Sequence, residues 1–287
     1  MKIIRAIDIF YNFAKFAKPK PKSIIVRKYA NGYVIIGNSF SPQVLDLVQK
    51  LCQNNIALLA TDPPYGNIVS EDWDAITEEA LCEKLIWLMQ EMQKRMAKGT
   101  CAYVWGGIGK FKDRPFLKFL STVEHQTDWF IKNLITWSKK RAYGTPSNYL
   151  FTREECAYLI NGSEKPSVFH IPLLEKLRGY EGFNAKYKAK SEFLRRTNVW
   201  MDITELFSGK THPTEKPAKL FEIPILAHTE EGEFVVDLFG GSGACAAAAI
   251  NCGRKFVLVE LNKKYAKVID KRLGGFKREW MVEVKED

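Results

Sequence analysis

Residues 56–66 read IALLATDPPYG. Five uncharged apolar residues, Ile56 to Ala60, run without a break into Thr61, Asp62, Pro63, Pro64, Tyr65 and Gly66. An apolar run this short, stopped by proline and glycine, has the pattern of a strand buried on both faces. Strands of that kind belong to parallel sheets sandwiched between helices, so the expected class is α/β. The carboxylate at the end of the run falls where such sheets hold their ligands, outside the carboxyl ends of the strands.

Alternation continues on both sides of this run. GYVIIGN (32–38) reads as a strand and SPQVLDLVQKLC as a helix. A helix over 77–99 opens at Thr77 and closes on Gly99, and TCAYVWGG (100–107) is the next strand. FIKNLITWSKK and ECAYLING add two more. Residues 163–200 then lose periodicity, gain Lys and Arg, and interleave Tyr180, Phe183, Tyr187 and Phe193. Alternation returns with strand 233–239, helix GACAAAAINC, strand 255–260 and helix KKYAKVIDKRL. The pattern predicts one sheet whose two halves flank an inserted basic lobe. Ahead of it, apolar residues at helical spacing predict an amphipathic helix over 3–17, followed by the stiff connector KPKPKS.

Composition narrows the partners. At 46% hydrophobic and 26% charged residues, the chain can bury a sizeable core. Its longest uncharged apolar run, ACAAAAI (244–250), is too short to cross a bilayer. Arg5, Asp8 and Lys15 interrupt the N-terminal segment, which does not read as a secretory signal. The six cysteines form no C-x-x-C and have no histidines at zinc-ligand spacing, so no metal site is expected. The net charge of +10 is concentrated: residues 1–30 hold eight Lys/Arg against one Asp, and 165–200 hold eight against three Glu. Two solvated basic surfaces and an electrostatic footprint for a polyanion both fit that distribution.

VVDLFGGSGACAAAA (235–249) is a strand, a glycine turn and a helix of small residues. Gly240, Gly241 and Gly243 permit conformations and approaches that a Cβ forbids. The amides at the helix start face whatever lies above the strand ends. Glu260, ending the next strand, can accept both hydroxyls of a ribose. The turn also satisfies G-x-G-x-x-G/A, so NAD competes on this motif alone. Asp237 tilts the choice, because a carboxylate there repels a pyrophosphate and suits the amino group and sulfonium of S-adenosylmethionine.

The D-P-P-Y turn suggests what such a cofactor would serve. An exocyclic base amine is a poor nucleophile because its lone pair is delocalised into the ring. Acceptors on both N–H bonds draw the nitrogen toward tetrahedral geometry, and Asp62 and the Pro63 carbonyl can supply them. The prolines fix φ and carry no competing N–H, while Tyr65 offers a face for stacking. A duplex base cannot reach such a site without being flipped out.

With these motifs in view, the chain from about residue 31 to 273 resembles the β-class DNA amino-methyltransferases. The segments that carry the likeness are, in order, TDPPYG, SEDWD, AYVWGG, LITWSKK, TREECAYLING, TNVW, THPTEKPAKLFE, VVDLFGGSG and GRKFVLVELNKKY. The resemblance implies a Rossmann-like, S-adenosylmethionine-dependent methyltransferase sheet with the permuted motif order of that class. Catalytic residues would be Asp62, Pro63, Pro64 and Tyr65. The cofactor would be held by Asp237, Phe239, Gly240, Gly241, Ser242, Gly243, Glu260 and Asn262, with His212, Thr214, Lys216 and Pro217 enclosing its methionine end. The chain would divide into a basic N-terminal arm (1–30), a catalytic half (31–164), a target recognition segment (165–200), a cofactor half (201–273) and a C-terminal tail (274–287). Lys186, Lys188, Lys190, Arg195 and Arg196 in the recognition segment are the expected phosphate contacts. Gly37-Asn38 departs from the Gly-Asp that many relatives carry at the end of the early strand.

The function this implies is direct in-line methylation of adenine N6 in a short sequence of double-stranded DNA, with no covalent enzyme intermediate. Cytosine-N4 members of the family usually carry Ser in place of Asp62. Three alternatives stay open: N4-cytosine methylation, a catalytically silent DNA-binding subunit, and a nicotinamide-dependent oxidoreductase, the last disfavoured by Asp237. A cytoplasmic location in a bacterium or phage host, a homodimer, a cognate restriction enzyme and no membrane partner complete the expectations.

Overall fold

The apolar run forms β3 (Ile56–Thr61), buried along its whole length. In the computed structural model, which describes residues 23–65, 77–107, 114–144, 146–147, 149–177, 192–204 and 215–283, this strand stands near the middle of one mixed sheet. Its parallel neighbours are β10 (Phe234–Asp237) and β4 (Cys101–Gly106). Beyond β10, β11 (Lys255–Glu260) and β2 (Gly32–Ile36) continue the parallel arrangement. Beyond β4, β6 (Phe151–Asn161) runs antiparallel, followed by β5 (Trp129–Tyr143) and the short β9 (Val199–Trp200).

Side chains alternate along a strand, and an irregularity in the β3–β10 register between Ile56 and Leu58 turns Ile56 to the same face as Leu59, so β3 feeds two cores. Ile56 and Leu59 pack with α1 (Pro42–Leu51), α2 (Glu78–Arg95) and α3 (Pro115–Gln126). Leu58 and Ala60 pack on the other face with α4 (Lys219–His228), α5 (Ala244–Asn251) and α6 (Lys263–Arg272). The small residues of α5, Ala246, Ala248 and Ala249, are fully buried and allow that helix close to the sheet. On the opposite face α1 contributes Val44, Leu45 and Val48; truncating a buried leucine such as Leu45 to alanine costs about 2–5 kcal/mol. No helix among the described residues is long and apolar enough to cross a membrane.

The connections set the site. From β3 the chain crosses through α2 to β4 on one side, and from β10 through α5 to β11 on the other. Strand order therefore reverses between β3 and β10, and a crevice opens above that point. It brings the D-P-P-Y and glycine turns side by side, although most of the chain separates them in sequence.

Three features differ from the sequence expectation. Residues 23–28, placed in the basic arm, form β1 (Ser23–Lys28), and residues 278–283, placed in the tail, form β12 (Arg278–Glu283). These two pair with each other, and β1 also pairs with β2, so both extend the sheet. Arg27 ties this edge to α6 and β12 through Asp270 and Glu279, each at 2.6 Å. Helix α3 went unread, although Phe116, Phe119 and Val123 are buried at helical spacing. The recognition segment contains a small ribbon of β7 (Leu173–Leu177) and β8 (Phe193–Arg195). The helix expected over 3–17 lies outside the described residues.

Candidate active site

Asp62 to Tyr65 leave β3 at the crevice and close a buried charge cluster. Lys216 Nζ donates to Asp62 Oδ2 at 2.5 Å and lies 3.0 Å from Glu154 Oε2. The Tyr65 hydroxyl donates to Asp62 Oδ1 at 2.8 Å, accepts from Lys216 at 2.7 Å and lies 3.2 Å from Glu154. Lys139 also bonds Glu154 from the neighbouring strand. The Lys216 side chain is only 4% exposed, so its charge is balanced by these carboxylates and not by water.

The protonation states follow from this arrangement. Burial opposes ionisation of Glu154, but Lys216 and Lys139 outweigh it and hold the carboxyl down to about 2. Burial dominates at Asp62 and raises it, against the pull of Lys216, with Glu154 adding repulsion. Burial acts to lower Lys216, yet Asp62 and Glu154 together raise it, so the ammonium persists. One lysine is shared between two carboxylates with unequal demands for it.

The second turn adjoins the first. Asp237, ending β10, accepts from Thr61 Oγ1 at 2.9 Å and from the Phe239 amide at 3.0 Å. Burial still pushes its carboxyl up to about 7. The same effect raises Glu260 to about 7, although the Asn262 and Gly241 amides, each 2.7 Å from a carboxylate oxygen, favour its ionised form. Glu260 thereby fastens the glycine turn to the end of β11. Gly243 takes a left-handed φ of +80°, and a Cβ on Gly240 would meet Leu258 and the Val259 carbonyl at 3.3 Å. Ser242 is buried within the turn, and the Phe239 ring packs 5.6 Å from Phe40.

These observations favour a cationic nucleoside as the ligand. The glycine turn, packed so closely that a Cβ on Gly240 or Gly243 would crowd Leu258, Val259 or Ile269, lies between two buried carboxylates, Asp237 and Glu260, and among the described residues the cation acting on Asp237 is Lys216. Trp105, at the end of β4, adds a buried indole N–H with no hydrogen-bond partner among the described residues. With Pro63, Pro64, Tyr65 and Phe116 it lines a narrow apolar pocket beside Asp62.

The expected residues divide into three groups. Asp62, Pro63, Pro64, Tyr65, Asp237, Phe239, Gly240, Gly241, Ser242, Gly243, Glu260 and Asn262 border this one crevice. Lys216 joins them, but its ammonium lies on Asp62 and Glu154, the catalytic side of the expected pair of sites. Pro217 heads α4, its carbonyl accepting the Leu220 amide at 3.1 Å. His212, Thr214, Lys186, Lys188 and Lys190 lie outside the described residues. Arg195 is exposed beside Phe169. Arg196 is a correction: its guanidinium forms a bidentate pair with Asp202 at 2.6 and 2.8 Å and is 8% exposed, so it is not displayed for a phosphate. Glu154, Lys139 and Thr61 were missed. A charged pair, Glu154-Glu155, entering an apolar strand was the available signal for the first.

A family model described as DNA methylase matches residues 56–271. The chain therefore belongs to the N6/N4 DNA methylase family. Type II methyltransferase M2.DpnII of Streptococcus pneumoniae is 27% identical over 247 residues, which cover 79% of this chain and 85% of that protein. DNA adenine methyltransferase YhdJ of Escherichia coli (strain K12) is 25% identical and covers 79% of each chain. The crystal structure of M1.HpyAVI matches the fold with a TM-score of 0.59 at 20% identity, over 85% of this chain and 98% of that one. Its SAM complex matches with a TM-score of 0.54.

Proposed function

We propose that this protein transfers a methyl group from S-adenosylmethionine to N6 of adenine in DNA. The observation that carries the reading is the position of Asp62: a carboxylate and two prolines at the end of β3, directly across the strand-order reversal from the glycine turn of β10. Bound in the crevice, the cofactor would supply an electrophilic methyl group. Asp237, the Gly240–Gly243 turn and Glu260 would hold it, with the carboxylates facing its cationic amino group and its ribose.

The chain's own residues then activate the amine. Asp62 accepts one N–H of the target amine and the Pro63 carbonyl the other, which localises the nitrogen lone pair toward the methyl group. For Asp62 to do so, Lys216 must release Oδ2 to the incoming N–H and stay with Glu154. The base reaches this position by leaving the duplex and stacking on Tyr65. The proton lost after transfer passes to Asp62, the nearest acceptor. Adenine is preferred over cytosine because Asp62 stands where the family's cytosine-N4 members usually carry serine. The name of YhdJ agrees with adenine for that relative. Work on cellular DNA implies a bacterial cytoplasm, and the restriction-modification setting of M2.DpnII-like enzymes is the expected context.

The test is direct. The protein is incubated with S-adenosylmethionine and unmethylated mixed-sequence DNA, and the digested nucleosides are identified by mass spectrometry. N6-methyladenine supports the proposal in full. N4-methylcytosine keeps the mechanism and overturns the choice of base. No modified base, with cofactor binding intact, overturns the enzymatic reading in favour of a silent DNA-binding subunit.

A further inference from the structure

Strand register reveals a projection of which the site uses only the base, Lys139 and Glu154. On β4 the last residue, Gly106, lies opposite Glu155 of β6, and Glu155 lies opposite Thr136 of β5. Everything past that line, residues 137–143 and 151–154, overhangs the carboxyl ends of the parallel strands. This is the side on which the crevice opens. The base of the overhang is tied into the charge cluster, since Lys139 bonds Glu154, which contacts Lys216 and Tyr65.

Pairing slips between Ser138–Arg153 and Tyr143–Phe151, so five steps along β5 face two along β6. The surplus residues form a bulge that carries Lys139, Lys140 and Arg141 in succession. Bulges next to active sites commonly re-aim side chains. Beyond the bulge, Gly144 lies against Leu150 and closes the arm. There Tyr149 is 92% exposed and Leu150 60%. Met201, just past the parallel partner strand β9, is 70% exposed on the same side. A basic bulge followed by an exposed aromatic and aliphatic tip has the chemistry of a duplex contact: cations for the phosphates, and an apolar tip for a gap in the base stack.

We infer that the β5–β6 overhang grips duplex DNA above the crevice, with Lys140 and Arg141 on the backbone and Tyr149 and Leu150 entering the stack where the target base leaves. It rests on the methyltransferase reading and assigns DNA contact to residues outside 165–200, on the strand that β9 of that segment flanks. Two variants of the full chain test it, each first checked for unchanged thermal unfolding. For Lys140→Gln/Arg141→Gln, binding to a fluorescent mixed-sequence duplex is followed by anisotropy across a salt series. The slope of log affinity against log salt is expected to flatten by about 2, at roughly 0.9 for each phosphate no longer neutralised. For Tyr149→Ala/Leu150→Ala, duplex methylation is expected to fall at least tenfold. An unchanged salt slope in the first variant, or wild-type methylation in the second, overturns the inference. Should the wild-type chain bind DNA yet methylate none, the methyltransferase reading fails, and the salt slope alone then decides the surface.

Discussion

Lys216 and Asp62, 154 positions apart in the chain, meet at 2.5 Å in the crevice. The contact puts a buried cation on the oxygen proposed to receive the target amine. Lys216 favours the ionised form of Asp62 against the burial that raises it and orients the carboxylate, and in the proposed mechanism Glu154 takes the lysine when substrate arrives. The first consequences concern these two carboxylates.

Asp62→Asn keeps the shape of the side chain but replaces one acceptor oxygen with a donor. Methyl transfer is expected to fall by roughly 10²–10³-fold, the usual effect of losing a group aimed at the reacting centre. Cofactor affinity, measured by calorimetry, should change little, since Asp62 does not touch the glycine turn. A loss of cofactor binding equal to the loss of rate would contradict the assigned role.

Glu154→Gln leaves Asp62 as the carboxylate that balances the Lys216 charge, with the Tyr65 hydroxyl as a neutral partner. The turnover number is expected to fall about tenfold with little change in the KM for cofactor, because Asp62 must then both hold the lysine and accept the amine. Stability to urea should drop by roughly 1–3 kcal/mol, the range for leaving a buried polar partner unsatisfied. Glu154→Asp, which retains the charge, should recover part of the rate. An equal loss in both variants would reduce Glu154 to a packing role.

The raised carboxyls of Asp237 and Glu260 make both stability and cofactor binding depend on pH. Unfolded carboxyls release their protons near pH ~4, whereas these two hold theirs to about 7 in the folded chain. Between those values the folded state binds more protons, so stability falls as pH rises and levels off above about 7. Glu154 acts in the opposite sense: held to about 2, its contribution is present above pH ~4 and lost on acidification toward 2. Urea unfolding from pH 4.5 to 8 should show the decline, and Asp237→Asn should flatten it. Affinity for S-adenosylmethionine is expected to rise over the same interval as Asp237 ionises to meet a cation. A pH-independent affinity would argue that Asp237 faces no charge on the ligand.

The cysteines should be dispensable. Cys52, Cys82, Cys101, Cys156 and Cys245 are buried, and burial pushes the Cys52 and Cys101 thiols up to about 12, where little reactive thiolate forms. Treating the native protein with N-ethylmaleimide is expected to label the partly exposed Cys252 and leave methyl transfer intact. Inactivation in parallel with labelling would point to a covalent mechanism.

Much of this architecture is legible locally. The six-residue burial of β3 follows from an uninterrupted apolar run. The α2 start follows from Thr77, whose hydroxyl accepts the Ala80 amide at 3.3 Å. Helix α3 carried an equally local signal in Phe116, Phe119 and Val123, but its proline at the first turn stands amid residues without a clear strand–helix boundary. β1 and β12 were harder for a different reason. β12 is the outermost strand, half solvated and charged, while β1, between β12 and β2, buries Ile24 and Val26 in alternation before Arg27 and Lys28, so neither shows an uninterrupted buried run.

What the amino-acid sequence determined alone is the set of turns and the chemistry they carry: Asp62 and the prolines after one buried strand, Asp237 and the glycines after another, Glu260 after a third. Those depend on conformational preferences and periodicities that act over a few residues. What tertiary structure decided is which of them meet. Glu154 becomes a partner of Lys216 because β6 lies antiparallel beside β4 in a particular register. Tyr149 and Leu150 lie beyond the carboxyl ends of the parallel strands because β5 and β6 outrun their neighbours. Strand order and register minimise the energy of the whole packed core, and no local window contains that sum.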